Sequence, residues 1–246
     1  MKLQVCDDIE ELSLYAAGWI IEYIAEVIEK RNRFTIALSG GSTPKKLYKL
    51  LSAPAYKRQI DWNSVHIFWG DERVVPFTDE RNNAKMAFDE LLSQVPIPAG
   101  HVHIMQTDID PKISAQAYEQ LLHDYFDKQL YTFDLVLLGL GDNSHTLSLF
   151  PGYDEIIFEK ESWVRAFRLD AENIYRITLT APVVNRAARV AYLVSGSSKT
   201  EAIQHVTTSK YDPSLYPAQV IQPFNGELYW IADKAATSGL QYVAGN

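Results

Sequence analysis

Short apolar runs that end in polar loops constrain this chain more than any other feature. FTIAL at 34–38, VHIFW at 65–69, LVLL at 135–138 and VAYLV at 190–194 are each too short for a helix. Such runs are what a strand buried on both faces in a parallel sheet requires. Segments of helical spacing separate them. Strand and helix in alternation imply right-handed crossovers, with helices on both faces of the sheet. The fold class is therefore α/β, a doubly wound and mostly parallel sheet, with additional strands toward the C-terminus at 163–169, 175–180 and 227–232.

The intervening segments read as follows. Asp7 and Asp8 can cap a helix running to about Arg31, with Leu12, Ala16, Ile20, Ile24 and Val27 on one face. Thr43 stands where an N-cap belongs and Pro44 suits a first helical position, opening a helix through 51. Further helices are expected at 81–95, 113–130 and 182–189. Ser198-Lys199-Thr200-Glu201 has the spacing of a capping box before another helix. The segment 211–226, with three prolines, reads as surface loop.

Bulk properties remove several function classes. The chain has 246 residues, 47% of them apolar, enough for one compact unit spanning 1–246. Its formal net charge is -8 with no basic run, so a nucleic-acid partner is not expected. The one cysteine, Cys6, forms no internal disulfide or cysteine metal cluster. The start MKLQVCDDIEEL is too acidic for a signal peptide, and no apolar run approaches the ~20 residues that span a bilayer. A cytoplasmic protein without a membrane partner is the expectation. His101 and His103 alternate and could share a metal, but no third ligand is evident, so they read as a strand-edge pair and no metal site is assigned.

In a doubly wound sheet, the loops after 38, 69, 138 and 194 open on one edge, where such folds place ligands. Ser39-Gly40-Gly41-Ser42-Thr43-Pro44 brings free N–H groups and a helix end together. It is either a phosphate cradle or merely a tight glycine-rich turn. It matches neither the Walker pattern nor GxGxxG, so ATP and dinucleotides are not implied, and no cofactor is expected. Asp71-Glu72-Arg73 is either a solvated corner or part of a site. His145 lies in the loop GLGDNSH, where its alternatives are a capping histidine and a catalytic one. With Lys199 at a helix start, the set suggests a small anionic substrate and histidine chemistry.

Together these loops resemble the 6-phosphogluconolactonases, within the larger group that includes glucosamine-6-phosphate deaminases. The resemblance covers nearly the whole chain. It rests on SGGSTP at 39–44, WGDERVVP at 69–76 followed by Asn83, GLGDNSHTLSLFPG at 139–152, RITLT at 176–180, SGSSKTEAI at 195–203, and YPAQVI with ELYWIAD near the end. It implies a Rossmann-like sheet of the deaminase type, and hydrolysis of 6-phosphogluconolactone in the pentose phosphate pathway without metal or organic cofactor. The implied partner is a small phosphorylated sugar lactone. The apolar faces are all accounted for by a core, so the sequence is silent on oligomeric state, and either a monomer or a homodimer is expected.

By the same resemblance, phosphate would sit on Gly40, Gly41, Ser42 and Thr43, with Arg73, Arg176 and Lys199 as cations. His145 would act as base on water, and Asp71 would support it. Deaminases carry Asn-Glu-Pro after the histidine, which supplies an acid; this chain has Ser148-Leu149-Phe150-Pro151. It also departs from the lactonase pattern, because Asn143-Ser144 stands where Asp-Gly is usual. Asn143 can orient the histidine but brings no charge, and Ser144 is strained if its φ is positive. The alternatives kept beside a lactonase are a non-catalytic sugar-phosphate binder and an aminosugar-phosphate deaminase or isomerase.

Overall fold

The computed structural model of the chain describes residues 1–240; the unit expected over 1–246 extends past them at 241–246. Its strands are β1 (Lys2–Cys6), β2 (Phe34–Leu38), β3 (Val65–Trp69), β4 (Asp71–Arg73), β5 (Leu135–Leu138), β6 (Val164–Leu169), β7 (Ile174–Leu179), β8 (Arg189–Val194) and β9 (Glu227–Asp233). Its α-helices are α1 (Ile9–Arg31), α2 (Ser42–Leu51), α3 (Pro54–Lys57), α4 (Asn83–Glu90), α5 (Pro111–Phe126), α6 (Asp154–Ile157), α7 (Ala181–Val184) and α8 (Thr200–Thr208).

Six strands form one sheet in the order β1-β9-β8-β5-β2-β3, and every pairing in it is parallel. Alternation along each strand feeds two cores. Phe34, Ile36 and Leu38 of β2 join Leu135 and Leu137 of β5 against α1, α2 and α4. Ala37, Val136 and Leu138 point the other way, among side chains of α5 and α8. Helices on both faces explain why these strands are apolar throughout.

A smaller antiparallel sheet, β4-β7-β6, branches off at Gly70. The Gly70 N–H donates to Leu38 O at 2.9 Å while its carbonyl accepts from Leu179 N at 2.8 Å, so this one residue joins both sheets. A Cβ at Gly70 would stand 2.6 Å from Leu147 Cδ2, so the histidine loop packs closely here and a side chain would displace the Leu147 methyl.

The structure departs from the sequence reading in local ways. β1 was not expected; it pairs with β9 from the far end of the chain, a contact that no local pattern announces. The expected helix at 81–95 shortens to α4, while those at 113–130 and 182–189 begin earlier, at Pro111 and Ala181, and end earlier, as α5 and α7. Gly41, not Thr43, is the N-cap of α2. The capping box at 198–201 does not form: Lys199 is the N-cap of α8, without a side-chain cap bond, and the Ser198 hydroxyl faces Asp142 at 3.4 Å. His101 and His103 lie outside the named strands; their rings neighbour His66 on β3. Among the described residues no cluster of His, Cys, Asp or Glu is arranged to hold a metal ion, and no helix is long and apolar enough to cross a membrane.

Candidate active site

Loops leaving the carboxyl ends of β2, β3, β5 and β8 converge on a cavity of about 250 Å³. The first loop turns at Gly41, whose φ of 107° and ψ of 170° start α2 with no side-chain cap. The Tyr48 hydroxyl donates to Ser39 O at 2.8 Å and accepts from Ser39 N at 3.0 Å, fixing where the loop leaves the strand. A Cβ on Gly40 would fall 1.9 Å from Asn83 Oδ1, so glycine admits the asparagine against the loop. The Ser42 and Thr43 hydroxyls make no hydrogen bond among the described residues. They and the first-turn amides of α2 are open to an anion.

The histidine loop is held by its own backbone. Gly141 N donates to His145 O at 2.8 Å and Ser144 N to Gly141 O at 3.0 Å. Ser144 has φ of 63° and Leu147 of 53°, both left-handed; the strain anticipated for Ser144 is present. The turn carries the imidazole back over Gly141, where a Cβ would lie 1.9 Å from His145 Nδ1. Asn143 Oδ1 accepts from His145 Nδ1 at 2.5 Å and faces the His145 backbone N–H at 3.4 Å. The ring stacks on Phe150, centroids 4.2 Å apart.

With its proton on Nδ1, the ring leaves Nε2 without a hydrogen bond to any described residue. Burial pushes the His145 pKa down to about 4, with Arg176, Lys199 and Arg73 adding to the fall and Asp71 opposing it. The ring is therefore neutral near pH 7, with a lone pair on Nε2.

Asp71 and Glu72 are buried, so the charged corner is no solvated turn. Asp71 Oδ2 accepts from the Ser148 hydroxyl at 2.6 Å, and Asn83 Nδ2 donates to Asp71 O at 2.9 Å. Glu72 accepts from the N–H groups of Arg73, Asn83 and Ala84 at 2.7–2.8 Å, tying β4 to the start of α4. Burial pushes its pKa up to about 7 against the pull of those amides. Arg73 donates from one terminal nitrogen to Arg81 O at 2.9 Å, while its buried Nε has no partner among the described residues. Lys199 pairs with Asp142, whose carboxyl it holds below the usual range.

Gly40, Gly41, Ser42, Thr43, Asp71, Arg73, His145 and Lys199 thus line one cavity. Asn143 is outside the lining and orients the histidine. Arg176 is not in the lining either. It lies opposite Arg73 across the β4–β7 pair, 3% exposed, bound to Glu172 at 2.6 Å and 5.7 Å from the Phe150 ring centre, with its Nε unpartnered among the described residues. Sequence reasoning missed Asn83, Ser148 and Phe150 as parts of the site. Ser148 had a signal, a hydroxyl inside the apolar run LSLF. Asn83 acts through its contact with Asp71 and Phe150 through its stack on the His145 ring, and spacing assigns neither a role.

The arrangement offers a neutral base, a buried carboxylate and an electropositive corner around one small space. A family described as glucosamine-6-phosphate isomerases/6-phosphogluconolactonase matches residues 7–230. The 6-phosphogluconolactonase of Synechocystis sp. is 40% identical, over 89% of this chain and 89% of its own length. That of Nostoc sp. is 38% identical over 97% and 98%. The solved 6-phosphogluconolactonase of Trypanosoma brucei superposes with a TM-score of 0.85 at 26% identity, covering 98% of each chain. A monomeric glucosamine-6-phosphate deaminase shares the fold, with a TM-score of 0.81 at 21% identity and coverage of 97% and 100%. The chain belongs to the glucosamine-6-phosphate isomerase/6-phosphogluconolactonase family.

Proposed function

We propose that this protein hydrolyses the ring ester of 6-phospho-D-glucono-1,5-lactone to 6-phosphogluconate, a step of the pentose phosphate pathway, with residues 1–246 acting as one domain. The names of its relatives support the reaction. The observation that carries the mechanism is the Nδ1 bond to Asn143, which leaves Nε2 of a neutral imidazole open in a cavity lined by cationic groups.

The phosphate dianion binds at the α2 N-terminus against Ser42, Thr43, Arg73 and Lys199, and Lys199 exchanges Asp142 for the ligand. Arg176 acts on the same charge from behind Phe150. Nε2 of His145 takes a proton as water attacks C1; the C1–O5 bond then breaks and the imidazolium returns the proton to O5. Such acid-base assistance contributes roughly 10²–10⁴-fold. A bound dianion offsets the cations that depress the histidine, so the substrate itself strengthens the base. Asp71, held by Ser148, favours the imidazolium from a fixed position. A deaminase reading lacks its acid, because Phe150 precedes Pro151 where deaminases carry Glu-Pro.

The test is hydrolysis of freshly generated lactone, corrected for spontaneous ring opening. Acceleration is the expected result; binding of 6-phosphogluconate without acceleration would make the protein a sugar-phosphate binder. Ammonia release from glucosamine 6-phosphate would make it a deaminase.

A further inference from the structure

We propose a second oxyanion site at the opposite edge of the main sheet, in a cavity of about 430 Å³ where β2 and β5 begin, with a phosphoryl group as its ligand. Arg31 ends α1, Asn32 turns the chain with φ of 55°, and Arg33 precedes β2, so both arginines line this cavity. Its one carboxylate is already committed. Buried Asp134 takes Arg31, the Thr35 N–H at 2.8 Å and the Thr35 hydroxyl at 2.9 Å.

Arg33 has no acceptor among the described residues. Its guanidinium carbon lies 5.6 Å from the Tyr125 ring centre, a contact that holds the group without using its N–H donors. The Gln129 side chain, also in the lining, makes no hydrogen bond either. Two arginines against one carboxylate leave one positive charge here, on a chain whose net charge is -8. A guanidinium fork binds two oxygens of an oxyanion side by side, and the Gln129 amide supplies a donor for a third. A phosphoryl group has that third oxygen and a carboxylate does not. The five residues of β2, at about 3.3 Å each, put this edge about 17 Å from the catalytic cleft. Both sites can therefore be filled at once.

Calorimetric titration of the full-length protein with inorganic phosphate, at low ionic strength to limit screening, tests this. Two sites are expected. Arg33→Gln should lose one of them, weakening it at least tenfold, while kcat and KM for the lactone stay within twofold and report an intact fold. Gln129→Ala should weaken the same site severalfold. Lys199→Ala should remove the other site and spare this one, so the count at Arg33 is read whether or not the lactone is turned over. Repeating the titration with glycerol 3-phosphate then separates a free phosphate ligand from a phosphate ester. Only one phosphate site in the parent protein, with none left in Lys199→Ala, or two sites retained in Arg33→Gln, would overturn the proposal.

Discussion

His145 and His66 bear the same electrostatic mark in different surroundings. Burial is the first cause for both, and both are pushed down to about 4. Around His66, the other charged or titratable groups are His101, His103, Tyr125 and Arg33. Its ring stacks on His101 with centroids 3.8 Å apart, and its Nδ1 meets the Tyr125 hydroxyl at 3.2 Å. That hydroxyl also meets His103 Nε2 at 2.8 Å. These imidazoles pack against one another and against aromatic rings. His145 instead spends one nitrogen on Asn143 and presents the other to a cavity. A depressed histidine is thus no signature of a site by itself; the free nitrogen and what it faces make the difference.

The sharpest separation of the two regions is kinetic. His145→Ala is expected to lower kcat by roughly 10²–10⁴-fold with little change in KM, whereas His66→Ala should leave kcat within about twofold. Parent-like turnover in His145→Ala would remove the base from the mechanism. Arg73→Ala comes next, with KM for the lactone raised by about 10–100-fold and kcat changed less, as expected for a charge-assisted contact to phosphate. A loss confined to kcat would place Arg73 in the chemical step instead.

Acid behaviour gives two further separations. The ring must be neutral to act, so activity falls as pH drops through the His145 pKa, about 4 in the free protein and higher with the dianion bound. Asn143→Asp sets a carboxylate on Nδ1, which should move this acid limb up by about one pH unit or more. An unmoved limb would show that Asn143 does not control the ring. For His66 and His103, both depressed first by burial, the unfolded chain takes up protons from about pH 6.5 while the folded one does not. Stability is therefore full above about 6.5 and is lost as pH falls toward 4. Replacing both with phenylalanine should lessen the fall of urea midpoints over that window, the remainder resting on His145, and leave the acid limb of activity in place. The smallest effect is at Ser144, whose left-handed φ of 63° costs energy that glycine avoids. Ser144→Gly should raise stability by up to about 1 kcal/mol.

The sheet could be read from the chain because its strands are buried on both faces, and that burial leaves unbroken apolar runs in sequence. The loops at their carboxyl ends followed from the same pattern, and so did most of the site. Contacts that join distant segments could not be read: β1 on β9, Arg73 opposite Arg176, Ser148 on Asp71. The capping-box spacing at 198–201 misled because Ser198 faces Asp142 rather than its own helix. Thr43 misled as a cap because Gly41 can adopt the φ that starts the helix two residues earlier. Its hydroxyl is left facing the cavity.

Ring nitrogen NMR of histidine-labelled protein, followed against pH, tests the central claim most directly. At neutral pH, His145 should carry its proton on Nδ1 with Nε2 bare, and should titrate near 4. A proton on Nε2, or a midpoint near the unperturbed ~6.5, would contradict the account of His145 as a poised base.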